Sequence, residues 1–305
     1  MSNGPRVSLE GRATCVAMGI SMEQPLARRR FLGRAAALCL GAIVPAMGRP
    51  RWPRRVAAAV TLRIALLNTG PTARSRHQGV LLGVEEARHA AELFGGSVAL
   101  EVIDHADAAA TSAAATSAAA IIGDDDEGHC RSILAAHRPH APLLMNVACA
   151  SDVLRGAACS RRAFHVAPSD AMLRDARTSA RGATDVVVWN SSLTRFGADT
   201  LNQRFRRRFG DPMTPTAWTA WFAVKVLWES ALRMKSADPD KIADYLTRDT
   251  TRFDGHKGQP LSFRISDHQL RQPVYAHTAA GWVEAPPTSS AAGESASPTA
   301  CRMPS

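Results

Sequence analysis

The chain has 305 residues, 46% of them apolar and 21% charged, which excludes wholesale disorder and leaves room for two domains and a sizeable core. Its formal charge of +10 is located unevenly: residues 1–59 hold ten arginines and two acids, so the remainder carries about +2. Charge placed this way argues for a basic leader and against a nucleic-acid partner; no apolar run reaches the roughly 18 residues that span a bilayer, which excludes stable membrane insertion.

Residues 1–59 read as an export leader. Arg28-Arg29-Arg30-Phe31-Leu32-Gly33-Arg34 is positive, residues 35–44 are apolar, and small residues follow as far as Ala57-Ala58-Ala59. Positive, then short apolar, then small is the order of a secretory signal peptide. Arg28, Arg29, Arg30, Phe31 and Leu32 resemble a twin-arginine signal, which implies the twin-arginine export machinery as a partner and the periplasm as the compartment. Cleavage near residues 46–48 and cleavage after Ala59 both fit. Export leaves Cys130, Cys149, Cys159 and Cys301 in an oxidising compartment. A Cys149–Cys159 disulfide, or Cys130 with either, is open.

Residues 62–67 form a short apolar run before Asn68-Thr69-Gly70-Pro71, and predict a buried strand. Apolar positions at helical spacing predict a helix over 78–94, stopped by Gly95-Gly96. Strands are expected at 98–103, at Ile121-Ile122 and at 143–147, with helices at the start of the Ala/Ser/Thr-rich stretch 106–120 and over 127–137. Strands alternating with helices imply right-handed crossovers and a mostly parallel sheet covered on both faces. A further strand is expected at 185–189, and helices follow at 201–209, 215–234 and 239–246. Strands are then expected at 261–265 and 273–277, and a Pro/Ser/Ala/Thr-rich disordered tail over 285–305.

Phe253-Asp254-Gly255-His256-Lys257-Gly258-Gln259-Pro260-Leu261-Ser262-Phe263 resembles an F-x-G-x-x-G-x-x-x-F stretch of type I periplasmic binding proteins of the branched-chain amino acid class. Its flanks agree: the aromatic helix at 215–234, Asp238-Pro239-Asp240, and the run from Asp267-His268-Gln269 to Val274-Tyr275. With Leu154-Arg155-Gly156, Cys159 and Ala167-Pro168-Ser169-Asp170-Ala171-Met172, the pattern is most similar to the substrate-binding subunits of ABC transporters associated with pyrroloquinoline-quinone-dependent alcohol oxidation. The resemblance covers residues 61–282. It implies an α/β periplasmic-binding-protein-like fold of two Rossmann-like lobes with mostly parallel sheets. Residues 60–172 would be the first lobe and 173–284 the second. Only thirteen steps separate Met172 from Asp185, room for about three helical turns and no βα unit, so the second lobe is expected to be shortened.

No G-x-S-x-G, H-E-x-x-H, G-x-G-x-x-G or P-loop motif occurs, so no enzyme activity and no cofactor is expected. Asp124-Asp125-Asp126-Glu127 reads as a helix cap, and His129, Cys130, His137 and His140 lack zinc spacing, so no metal is expected either. In a doubly wound sheet, ligands bind beyond the carboxyl ends of the strands. That places candidate ligand-binding residues at Asn68, Thr69, Gly123, Asp124, Asn146, Ala148, Asn190 and Ser191. The expected function is delivery of a small polar ligand to an ABC permease, by capture between lobes with hinge closure. The alternative is a non-transport sensor or accessory protein on the same scaffold.

Overall fold

Five apolar runs assemble into a parallel sheet in the order β2-β1-β3-β4-β5: β1 (Val60–Leu67), β2 (Gly96–Ile103), β3 (Ala120–Ile122), β4 (Leu143–Asn146) and β5 (Ala163–His165). The computed structural model describes residues 59–104, 117–123, 125–135, 140–285 and 301. The expected helix at the start of 106–120, the leader residues Arg28 to Leu32 and Asp124 lie outside these. Leu62, Ile64, Ala65, Leu66 and Leu67 are all buried, because helices cover both faces of the sheet and leave no solvated side. β5 was missed in the sequence. Ala163-Phe164-His165 is too short to show a period, and it is a strand only through pairing with β4, Leu144 opposite Ala163.

The helices are α1 (Ala73–Phe94), α2 (Glu127–Ala135), α3 (Asp170–Ser179), α4 (Ala198–Phe209), α5 (Pro215–Met234) and α6 (Pro239–Leu246). Gly95, left-handed at φ 73, ends α1 as expected, but α1 starts five residues before Gln78. α5 and α6 have the bounds read from sequence. Thr214 Oγ1 accepts from Ala217 N at 3.1 Å, and Asp238 Oδ1 accepts from Asp240 N at 2.9 Å and Lys241 N at 3.1 Å. A proline follows each cap, where its missing N–H costs nothing.

α5 is buried on most of its surface and is the central post of the molecule. It lies directly on α1. A Cβ on Gly79 would stand 2.1 Å from the Ala217 carbonyl oxygen, and one on Gly83 would stand 2.8 Å from Val224 Cβ. The two backbones approach this closely because α1 offers glycine there. Trp189, Trp218 and Phe222 stack with ring centroids 5.5 and 5.2 Å apart, so the tryptophans are core.

The second half departs from the expected parallel pattern. β6 (Asp185–Val187), β10 (Tyr275–Thr278) and β11 (Gly281–Glu284) make an antiparallel sheet, order β11-β10-β6. β7 (Phe253–Asp254), β8 (Pro260–Phe263) and β9 (Leu270–Arg271) make a second antiparallel set. The few residues that join β7 to β8, β8 to β9 and β10 to β11 cannot carry the crossover that parallel neighbours need, so these pairs fold back as hairpins, while β6 pairs antiparallel with β10 across a long stretch of chain. Residues Arg55–Ser305 form one compact unit.

The cysteine pairing is a correction. Cys159 is bonded to Cys301, 142 residues away, with Cα atoms 5.2 Å apart, in place of a Cys149–Cys159 bridge. Cys149 and Cys130 are buried and lie outside this disulfide. Closeness in sequence did not decide the pairing, because Cys149 turns inward behind β4.

Candidate functional site

The β4 and β5 strands end side by side, and the loops that leave them frame a cavity of about 160 Å³. Val147, Ala148 and Ala150 form one wall and Ala167 and Pro168 a second. Residues 186–188 of and after β6 close it from across, and Pro215, Thr216 and Thr219 at the start of α5 complete it. This is the carboxyl side of the parallel sheet, where open α/β sheets bind ligands.

A buried polar brace sets the loops. Arg155, only 8% exposed, donates from Nε to Gln269 Oε1 at 2.7 Å. It also donates to the carbonyls of Ser151 at 2.8 Å, Cys149 at 3.2 Å and Ala167 at 2.8 Å. Burial pulls its pKa down to about 10, which leaves it charged at neutral pH. Gln269 Nε2 donates in turn to the carbonyls of His165 and Ala167 at 3.1 and 3.0 Å. One arginine and one glutamine therefore tie the β4 loop, the β5 loop and the C-terminal strands together, the arginine's bonds being charge-assisted.

Asn146, fully buried, does the same locally. Its Nδ2 donates to Cys149 O at 2.8 Å and lies 3.0 Å from His165 Nδ1, while its Oδ1 accepts from Cys149 N at 3.0 Å. Its side chain shapes the loop from behind, whereas Ala148 faces the cavity. Thr219 Oγ1 donates to Val147 O at 2.7 Å, fastening α5 to the same loop. Cys149 has its thiol pKa lowered to about 7, chiefly by a hydrogen bond from Cys130.

The other strand ends named from sequence are occupied differently. At the switch point between β1 and β3, Arg76 is fully buried and donates to Leu67 O at 2.9 Å, Thr72 Oγ1 at 2.8 Å and the Thr69 carbonyl, and pairs with Asp125 at 3.2 Å. Asn68 Nδ2 donates to Asp104 at 2.8 Å. Gly123 N donates to Met145 O at 3.0 Å, and a Cβ there would come within 2.9 Å of Leu144. Asn190 Oδ1 accepts from Ser192 N at 2.7 Å in a turn, and neither Asn190 nor Ser191 lines the cavity. Of the described residues named from sequence, the structure brings Asn146 and Ala148 together at this site. Thr216, Thr219 and residues 186–188 were missed, since nothing local says which face of α5 or β6 meets the β4 loop.

Asp126 caps α2, accepting from His129 N at 2.9 Å, as its acidic run suggested. Among the described residues, the donors His140, Asp238 and Asp240 converge within 4.8 Å of one another. Both carboxylates already have partners: Arg162 holds Asp240 at 2.6 Å and Asp238 caps α6. A larger groove of about 690 Å³, lined by Arg161, Arg162, Asp244 and Cys301, lies on the side where β5 begins, away from the carboxyl ends.

A doubly wound parallel sheet with this cavity beside it is the α/β fold of periplasmic binding proteins. Solved structures of that kind resemble the chain. A branched-chain amino acid ABC transporter protein from Rhodopseudomonas palustris aligns with a TM-score of 0.62 at 14% identity, over 74% of this chain and 96% of that one. The substrate binding protein of a branched-chain amino acid transporter from Streptococcus pneumoniae, in complex with isoleucine, aligns with a TM-score of 0.59 at 13% identity, over 75% and 100%. An ABC transporter solute binding protein from R. palustris, in complex with benzoate, gives 0.55 at 12%, over 74% and 95%. No protein-family model and no curated protein matches the chain. At these identities the likeness establishes the fold. The neighbours are binding proteins, not enzymes, and among the described residues no helix is long and apolar enough to cross a membrane.

Proposed function

We propose that the protein is a solute-binding protein, exported to the periplasm through its twin-arginine leader, that hands a small ligand to an ABC transporter permease without transforming it. The observation that carries this reading is the cavity at the carboxyl ends of β4 and β5, walled by residues from both halves of the chain. The brace of Arg155, Gln269 and Asn146 supports it, because it holds the wall in shape before any ligand arrives. The motif run through Gly255 and Gln269 extends the reading to a transporter that serves quinoprotein alcohol oxidation. The short antiparallel sheet of β6, β10 and β11 is, on this reading, a shortened second lobe.

The test is a thermal-shift screen of the purified protein with amino acids, organic acids, alcohols and pyrroloquinoline quinone. A ligand present at 100 times its Kd adds about 2.7 kcal/mol and raises the melting temperature. Replacing Arg28 to Arg30 with Gln should abolish export. A second reading, a sensor or accessory protein, is favoured by one feature: residues 55–305 close into one compact unit. Ligand binding in the screen without permease-dependent uptake would support that reading, and no shift with any compound would overturn the solute-binding one.

A further inference from the structure

The chemistry of the cavity wall deepens the solute-binding reading, on which this inference rests. We propose that the ligand is an uncharged, mainly apolar molecule with one hydroxyl group, a short branched or cyclic alcohol, and is neither an amino acid nor a carboxylate.

Size comes first. The cavity measures about 160 Å³. An apolar cavity of about 150 Å³ accommodates benzene, so about six to eight non-hydrogen atoms fit here. Charge comes second. Every side chain that lines the cavity is aliphatic, proline or threonine, and none is acidic, basic or an imidazole. An amino acid brings an ammonium and a carboxylate, and each needs a partner when it leaves water. The brace cannot supply one for the carboxylate. Arg155 directs its donors to Gln269 and to three backbone carbonyls. Nor can Lys257, which is 2% exposed and donates to Gln272 Oε1 and Pro273 O, both at 3.0 Å.

Polarity comes third. Thr216 and Thr219 stand three residues apart on one face of α5 and both line the cavity. Thr219 Oγ1 has its proton engaged by the carbonyls of Val147 and Thr216, at 2.7 and 2.9 Å, and keeps lone pairs to accept. The Thr216 hydroxyl makes no hydrogen bond among the described residues. One acceptor beside one free hydroxyl matches the donor and acceptor of a single alcohol O–H. The rest of such a ligand would meet Ala148, Ala150, Val186 and Val187, where apolar surface is what burial rewards.

The full chain is titrated calorimetrically, with parallel melting curves, against 3-methylbutan-1-ol, cyclohexanol, benzene, L-leucine and 4-methylpentanoate. The two alcohols are expected to bind and to raise the melting temperature, and leucine and 4-methylpentanoate to do neither. Ala148→Leu, which fills the cavity, should abolish alcohol binding while the unliganded protein still melts cooperatively. Thr216→Val should weaken cyclohexanol about tenfold and leave benzene unchanged, the loss expected for one hydrogen bond. If leucine or 4-methylpentanoate binds and Ala148→Leu removes that binding, the neutral-ligand assignment is overturned and the solute-binding reading stands. If alcohols bind equally well to Ala148→Leu, the cavity is not their site and the inference falls. If no probe and no compound of the broader screen binds, both fall together.

Discussion

Arg155 has no carboxylate within its brace, yet it is buried, because four acceptors converge on its guanidinium. Three other buried basic groups are less well served. His165 is fully buried and burial holds its imidazole well below 6.5, with Arg155 and His268 acting in the same sense. His268 is lowered too, by burial first, against the Ala163 carbonyl and Asp267. Burial holds Lys257 well below 10.5 against Glu284, although its Nζ lies 3.9 Å from the face of Trp218. Between each depressed pKa and the ordinary value, the unfolded chain binds the proton and the folded chain does not. Unfolding free energy therefore rises with pH through both windows. Stability should fall as pH drops below 6.5, through the histidines, and climb on the way to 10.5, through Lys257. Urea midpoints from about pH 5 to pH 9 check this. His165→Gln should shrink the acid loss and Lys257→Met the alkaline rise. Unchanged slopes in both variants would refute these assignments. Gln269 and Arg155 were visible in the sequence as part of a family-like run, but their meeting was not, since 114 residues separate them.

At the scale of elements, the helix ends were legible where local chemistry decides them. Thr214-Pro215 and Asp238-Pro239 announce α5 and α6, and each cap bond is present. Short strands were not legible, because β5, β7, β9 and β11 have two to four residues and owe their state to partners across the sheet. The contact of α1 with α5 is the element-level feature most open to test. Gly79→Ala ought to help an isolated helix by about 1 kcal/mol. Here the new methyl would sit 2.1 Å from the Ala217 carbonyl, so α5 must move away. The expected net effect is a loss of about 1–3 kcal/mol, read as a lower urea midpoint. Ala217 lies between Thr216 and Thr219, so ligand affinity should drop as well. A midpoint equal to or above that of the parent would show that the helices can part without penalty.

For the whole molecule, the Cys159–Cys301 bond closes the largest loop among the described residues and pins the far C-terminus to the segment before β5. Cys301 N also donates to Ser266 O at 3.1 Å. A cross-link over this separation restricts the unfolded chain, and its loss should remove about 2–5 kcal/mol. Reductant should therefore lower the melting temperature of the parent and leave Cys159→Ser, already lowered, where it is. Equal sensitivity of both proteins would argue that the bond does not form in solution.

Periodicity, caps and composition suffice, without any coordinates, for the alternating α/β order of the first half and the bounds of α5 and α6. These follow from interactions within a few residues, which a linear chain displays. The order β2-β1-β3-β4-β5, the antiparallel return of the second half, the partner of Cys159 and the meeting of Thr216 and Ala148 around one cavity required the tertiary structure. Each depends on segments far apart in sequence meeting at one place, and that meeting is decided by which buried surfaces fit together.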